Sequence, residues 1–359
     1  MGRTQGRAAP DRGATLGRWA VVSLVCLSCS AFGQLNDGDD TAPIASPTLS
    51  RSPLLPSLRT TLEALGASSG VPDGIGASHY PGEPVRGQAA DVSLTNIQAG
   101  LTAPVFDSND TGVFVSASIQ GLAIRGSPLL PDDRVRLPSQ FWDIQAGGGY
   151  LHQVTEHSSW GIILTGGSAS DRPFNSIHEA TVSGLAFVRV AHSNEDALLY
   201  YVVSTTNGQV GHNIPIPGIA WEFKRDQLHG IIGFPFISLT YEPVKSIEWE
   251  FNYAALTEVE TRLNYRITDT AKVFTGFTWT SQSWYRVGRT HEHLQLFLYE
   301  KRLEAGVKWQ LGHSLDLQVL GGYAFDRYFT ETFGLSLRGR NTIDIGPGPV
   351  VAAQFEFRF

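Results

Sequence analysis

The chain has 359 residues and a formal net charge of −7, and only 17% of its residues are charged, against about 25% in an average soluble domain. This acidic balance offers no basic face for nucleic acid, so we exclude nucleic-acid binding. Cys26 and Cys29 are the two cysteines. We therefore expect neither disulfides nor thiolate metal sites in the body of the chain.

Residues 1–33 have the three parts of a secretory signal peptide. Four arginines and one aspartate precede an apolar run from Trp19, and Ala31-Phe-Gly33 offers a cleavage site. The run is shorter than the about 20 residues that a membrane-crossing helix needs. Cleavage there would remove both cysteines and shift the net charge from −7 to −10. Lipid attachment at Cys29 is the alternative, although no aliphatic residue stands three positions before it.

Residues 34–90 are rich in proline, serine, glycine and aspartate. A segment of this composition cannot bury enough apolar surface to offset the entropy of ordering it. The sequence therefore predicts a largely disordered periplasmic linker over 34–90 and a folded domain over 91–359.

From about residue 91 the chain alternates between apolar and polar residues. In Ile247–Tyr253 every odd position is apolar and every even one polar, and Val259–Ile267 and Leu315–Tyr323 repeat the pattern. A period of two is typical of strands with one dry and one wet face.

Link lengths predict the topology. Outer-membrane barrels have short periplasmic turns and longer loops at the other end. The long links fall at one end if residues 218–241 cross once and residues 91–99 do not cross. The prediction is an all-β, transmembrane, antiparallel up-and-down β-barrel of about 12 strands, with 10 or 14 as fallbacks.

Alternation alone also fits a soluble β-sandwich. Several segments, however, run for 9 to 13 residues, which suits a tilted bilayer crossing of about 9–11 residues. Aromatic residues also cluster near predicted strand ends, as in an interfacial girdle. These are Trp249, Trp279, Trp284, Tyr285, Trp309, Tyr323 and Tyr328.

The last predicted strand, Val351–Phe359, places Phe355, Phe357 and Phe359 on one face. This arrangement resembles the C-terminal assembly signal of bacterial outer-membrane proteins. The resemblance implies two partners, the barrel assembly machinery and outer-membrane lipid. The strand must then pair with the first one, because lipid offers no hydrogen-bond partner to an open edge.

Residues 219–359 contain several short aromatic and glycine motifs. On these motifs the region resembles an uncharacterised outer-membrane β-barrel family of planctomycete-type bacteria. The resemblance implies a location and a fold but no chemistry. The motifs are Gly233-Phe-Pro-Phe236, Tyr241-Glu-Pro243, Tyr253, Tyr265-Arg266 and Gly321-Gly-Tyr323.

The polar face of the predicted strands carries eight acids and six bases. In a membrane barrel this face must line the lumen, because a charge facing lipid costs about 2–4 kcal/mol at the midplane. The charges either line an aqueous pore or pair across strands and close the lumen to flow. The proposed lining residues are Glu222, Lys224, Glu248, Glu250, Glu258, Glu260, Arg262, Arg266, Lys272, Glu304, Lys308, Asp316, Glu356 and Arg358.

Two further motifs bear on chemistry. His291-Glu292-His293 offers two imidazoles but no third ligand, so a solvated loop is favoured over a metal site. His192 and Ser193 do not form a catalytic pair, because adjacent strand residues point to opposite faces. We therefore predict no catalytic residue, no metal and no cofactor. The sequence does not specify an oligomeric state.

The leading hypothesis is an outer-membrane β-barrel with a structural role or porin-like passage of small polar solutes. Two alternatives stay open at this point. One is an outer-membrane enzyme that acts on lipid, and the other is a secreted, soluble β-sandwich that binds carbohydrate.

Overall fold

The computed structural model describes residues 73–193, 195–208, 214–254, 258–334 and 336–357. The predicted signal peptide and residues 34–72 lie outside this part of the chain. No helix among the described residues is long and apolar enough to cross a bilayer. One turn of 3-10 helix spans Ile177–Glu179.

The strands are β1 (Gly74–Pro84), β2 (Asp91–Asp107), β3 (Thr111–Arg125), β4 (Gln140–Thr155), β5 (Ser158–Ser170), β6 (Ala180–Ala191), β7 (Asp196–Thr205), β8 (Ile216–Lys224), β9 (Leu228–Phe234), β10 (Phe236–Val244), β11 (Ile247–Ala254), β12 (Glu258–Arg266), β13 (Ala271–Trp284), β14 (Gln295–Gln310), β15 (Leu315–Thr332), β16 (Arg340–Ile345) and β17 (Gly348–Phe357).

Sixteen of these strands close a single antiparallel ring. β1 to β15 pair in chain order, and β15 pairs with β17. β17 then pairs with β1, with Gly74 opposite Glu356 and His79 opposite Val351. β16 pairs with the last part of β15 and lies outside the ring. One closed ring satisfies its own strand edges, so the alternative of two packed sheets in a sandwich is wrong.

The prediction of 12 strands is also wrong, and so are both fallbacks. Residues 91–99 begin β2, and the segment predicted as a linker contains β1. Residues 218–241 cross three times, in β8, β9 and β10, rather than once. Pro235 lies at the turn between β9 and β10, where Ile232 faces Ile237. A proline is tolerated there because a turn residue donates no ladder hydrogen bond.

The two ends of the ring differ in their connections. At one end, here named the turn end, the links are 108–110, 156–157, 192–195, 225–227, 245–246, 267–270 and 311–314. At the other, here named the loop end, the links include 126–139, 171–179, 206–215, 285–294 and 333–339. Gly74 and Phe357 both lie at the turn end. The longest links thus lie at the loop end, although β9 and β10 are joined there through Pro235 alone.

The outer face of the ring is apolar and exposed. Val115, Leu164, Leu303 and Val351, on four different strands, are each about half exposed, at 49%, 56%, 55% and 58%. The inner faces of the same strands carry buried apolar residues such as Phe114 together with polar and charged ones such as Ser116 and Glu304. The wall therefore separates an apolar exterior from a mixed interior, as period-two alternation predicts.

Phe355 lies on this outer face, opposite Ile75 of β1 and Leu317 of β15. Phe357 pairs with Leu315. Phe359 and Arg358, two of the residues singled out from the sequence, lie outside the described residues.

The wall of the ring is uneven in height. β8 to β12, here named the short wall, have only 7 to 9 residues each. β13, β14 and β15 have 14, 16 and 18 residues. The outer face of the short wall carries exposed aromatic side chains, including Trp221, Phe234, Tyr241 and Trp249.

Candidate functional site

Thirteen of the fourteen predicted lumen residues lie on described strands. Register places them on the face opposite to the apolar exterior: Glu248 faces Asn264, Lys272 faces Arg266, and Asp316 faces Glu356. Their positions are Glu222 and Lys224 on β8, Glu248 and Glu250 on β11, Glu258, Glu260, Arg262 and Arg266 on β12, Lys272 on β13, Glu304 and Lys308 on β14, Asp316 on β15, and Glu356 on β17.

The interior is divided into two arcs. Eleven of the thirteen residues lie on β11 to β17, which form a charged arc. The inner faces of β3 to β10 instead carry a buried apolar cluster, here named the apolar arc. Its buried members are Phe114, Leu151, Ile163, Leu185, Phe187, Leu199, Tyr201, Ala220, Ile231 and Phe236. The sequence did not predict this division, because the strands of the apolar arc alternate less cleanly.

Near the turn end, lumen cations pair with carboxylates from other strands. Nζ of Lys272 lies 3.1 Å from Oε1 of Glu248. Nζ of Lys308 donates to Glu356 and lies 3.6 Å from Oδ2 of Asp316. On the apolar arc, Nε of Arg189 lies 2.7 Å from Oε2 of Glu222.

Glu304 is a buried carboxylate of the charged arc, with its side chain 1% exposed. It accepts hydrogen bonds from Nη2 of Arg262 at 3.2 Å and from Nε of Arg302 at 2.8 Å. Arg262 also stacks over the ring of Phe274, 4.5 Å from its centroid. The two guanidiniums are therefore held by one carboxylate in a largely dry setting.

A second buried cluster lies toward the loop end and was missed in the sequence. The Tyr80 hydroxyl donates to Oε1 of Glu300 at 2.5 Å. Nε of Arg327 lies 3.5 Å from Oε2 of Glu300, and its guanidinium lies over the Tyr80 ring. Tyr80 stands in the segment predicted as a linker, and Arg327 follows the alternating segment Leu315–Tyr323, so alternation gave no signal for either.

At the loop end of the lumen, residues from opposite walls meet, and this contact is here named the pinch. β5 and β13 stand eight strands apart in the ring, yet Ser170 forms a parallel bridge with Tyr285. The backbone N–H of Tyr285 donates to Ala169 O at 2.8 Å. Phe141 packs against Trp284 with ring centroids 5.1 Å apart. Trp284 and Tyr285, predicted for an interfacial girdle, are buried at this mouth instead.

Residues 285–294, here named the mouth strap, carry the ion pairs that hold this closure. Nη2 of Arg286 lies 2.6 Å from Oδ2 of Asp133, and its Nε lies 2.6 Å from Oε1 of Glu331. Burial alone would lower the pKa of Arg286, but Glu331 and Asp133 raise it above its ordinary value. Arg286 is therefore a permanent buried cation between two loop-end carboxylates.

A second clasp joins the mouth strap to the 3-10 helix. Nη1 of Arg289 lies 3.3 Å from Oε1 of Glu179. Oε2 of Glu179 accepts from the Ser176 N–H at 2.8 Å and from its hydroxyl at 2.6 Å. Burial alone would raise the pKa of Glu179, but the hydrogen bonds from Ser176 and Arg289 hold it below its ordinary value.

This lowered pKa predicts an acid-sensitive clasp. A carboxylate with a lowered folded-state pKa stabilises the fold above its unfolded pKa, and that stabilisation is lost as pH falls through the folded pKa. We expect hydrogen exchange at the Ser176 and His178 amides, corrected for intrinsic rates, to accelerate only below pH about 4. The Glu179→Gln variant should exchange fast at every pH. An identical pH response in that variant would contradict the assignment.

The two motifs considered for chemistry lie in links. His291, Glu292 and His293 belong to the mouth strap, where the His293 ring contacts Phe333. Among the described residues no group of three His, Cys, Asp or Glu side chains is placed to hold a metal ion. The Ser193 hydroxyl accepts from the N–H groups of Glu195 and Asp196 and so shapes the turn between β6 and β7.

Fold and interior together define a closed antiparallel barrel with an apolar exterior, a two-sided lumen and a pinched loop end. No family model and no curated protein matches the chain. Similar solved structures include the translocator domain of the autotransporter NalP from Neisseria meningitidis, with 9% identity, a TM-score of 0.26, and coverage of 84% of this chain and 96% of that one.

Two further structures are similar at the same low level. The siderophore receptor PirA from Acinetobacter baumannii has 8% identity and a TM-score of 0.33, with 80% of this chain and 60% of that one covered. The chain thus spans less than two thirds of that receptor. OccK7 (OpdD) from Pseudomonas aeruginosa has 8% identity and a TM-score of 0.34, with 80% and 98% covered. At these values no function is carried over to this chain.

Proposed function

We propose that the protein is a β-barrel of the bacterial outer membrane. The observation that carries the proposal is the exposed apolar exterior of a closed ring. An apolar surface of this extent is normally covered by lipid or by another protein rather than by water. Short turns at one end and long loops at the other fit the same location. Export by a cleaved signal peptide, docking of the C-terminal strand on the barrel assembly machinery and membership of the planctomycete-type family stay predictions.

Within that membrane, the lumen forms a route for small polar solutes that is shut at the loop end in this conformation. The charged arc supplies a wetted lining near the turn end, where the side chains of Lys272 and Lys308 are 35% and 32% exposed. The pinch between β5 and β13 blocks the other end. We propose no catalytic role for Ser193, because its hydroxyl accepts from the N–H groups of Glu195 and Asp196 and shapes a turn.

Folding into lipid gives the first test. We expect the purified protein to insert into vesicles, float with them, and migrate faster on a detergent gel when unheated than when boiled. The physical reason is that a closed ring of paired strands resists detergent until it is heated. Recovery of the native protein in the aqueous fraction without detergent would overturn the membrane location.

Conductance tests the second part. In a planar bilayer we expect the wild-type barrel to insert and stay closed for most of the time, because described residues from opposite walls meet at the mouth. A steady, large conductance from every inserted barrel would contradict a closed resting state.

A further inference from the structure

We infer that the mouth strap is the gate of the barrel and that Arg286 is the latch that holds it shut. The inference rests on the proposed function and deepens it by naming the contact that controls passage. It starts from one geometric fact: the strap is the place where walls eight strands apart touch.

The latch joins three separate parts of the chain. Arg286 belongs to the strap, Asp133 to the loop between β3 and β4, and Glu331 to the end of β15. The guanidinium is 5% exposed, and the two carboxylates are 10% and 1% exposed. No other described side chain bridges both carboxylates, since Arg340 reaches Asp133 alone.

Arg286 is the strap cation that pairs with both of these carboxylates. A buried charge is tolerated when it is paired, and loss of its partner leaves an uncompensated ion in a dry setting. Without Arg286, Glu331 and Asp133 would repel each other beneath the strap. Solvation of these carboxylates then requires water to enter the mouth, and water enters when the strap lifts.

Some polar contacts of the strap can be exchanged for water. The Val287 N–H donates to Oδ1 of Asp171 at 2.6 Å, and the Tyr285 hydroxyl donates to Thr206 O. Such polar contacts have nearly equal partners in water. Lifting the strap also uncovers the ring of its first residue, Tyr285, which is 2% exposed in the closed state.

The test measures single-channel currents of Arg286→Ala in planar bilayers. We expect the fraction of time spent open to rise at least tenfold over the wild type. The reason is that removing one partner of a buried ion pair strongly destabilises the state that contains the pair, here the closed state. Arg286→Lys keeps the charge and should stay mostly closed. Arg338→Ala is the matched control, since Arg338 forms an ion pair with Asp344 at the same end but is 54% exposed and bridges no walls.

A reversible lock separates gating from misfolding. Ser283 lies on β13, and Asn207 lies in the link that follows β7. Oγ of Ser283 is 2.9 Å from Oδ1 of Asn207. The chain has no cysteine after Cys29, so Asn207→Cys with Ser283→Cys places the only thiol pair in the barrel. In the Arg286→Ala background, oxidation should abolish the added conductance and a reductant should restore it. Each single cysteine variant should respond to neither.

The outcomes are distinct. Failure of the wild type to insert into vesicles would contradict the proposed function. Normal insertion of Arg286→Ala with wild-type currents overturns the gate and leaves the membrane barrel standing. Unchanged currents after the cross-link forms also overturn the gate. If Arg286→Ala does not assemble, Asp133→Asn, which leaves the Arg286–Glu331 pair in place, must still raise the open fraction for the inference to hold.

Discussion

Replacing Ala353 with arginine should destabilise the folded barrel by about 2–4 kcal/mol in lipid, the cost of an arginine near the bilayer midplane. Ala353 lies midway along β17 on the outer face, opposite Ala77 and Val319. Its neighbour Ala352 faces the lumen, opposite Ser78 and Leu320. The same substitution there should cost much less, because an arginine in the lumen reaches water and carboxylates.

The pair is a matched test because the residue, the strand and the depth are the same and only the face differs. The measurement is reversible denaturant unfolding in vesicles, followed by gel mobility or tryptophan fluorescence. Equal losses for the two variants would mean that lipid does not cover the outer face.

Replacing Glu304 with alanine should cost about 3–5 kcal/mol, the typical penalty for removing one partner of a buried ion pair. Arg262 and Arg302 would then face each other without the carboxylate that now accepts from both. Unfolding free energy in vesicles is again the measurement.

The control for this variant is Glu260→Ala. Glu260 pairs with the same nitrogen of Arg262 at 3.1 Å, but its side chain is 41% exposed. Exposed pairs contribute at most about 1 kcal/mol. If the two variants lose the same stability, burial does not set the strength of these pairs and the charged arc is fully wet.

Alternation predicted the two faces of the wall but not the number of strands. It works where large apolar side chains mark the outer face, as Leu303 and Val319 do. In β1 the inner positions before Tyr80 are Gly74, Gly76 and Ser78, so the contrast between faces is weak and the sequence resembles a linker. In β9, a Cβ added to Gly230 would lie 2.3 Å from Ser238 O, so the close approach of the neighbouring strand leaves room only for glycine there. Without a side chain, this position adds nothing to the alternation of apolar and polar residues.

The lumen charges on β11 to β17 could be predicted for the same reason, since they share strands with clear alternation. The mouth could not. Asp133, Arg286 and Glu331 are separated by 153 and 45 residues and meet only through loop folding. No local pattern encodes that meeting. Tertiary contacts between loops therefore decide whether a charged lumen is an open pore or a closed one.

The short wall has a consequence for the surrounding lipid. With about 3.4 Å per residue and a tilt of about 40°, the seven residues of β9 reach a height of about 18 Å. The apolar band of an outer-membrane barrel is about 25 Å tall. In the membrane that we propose, the bilayer would thin beside β8 to β12, or the acyl chains would bend around the exposed rings of Trp221 and Phe234. The two sides of one barrel thus impose different thicknesses on the leaflets around it, and membranes of shorter acyl chains should accept it more readily.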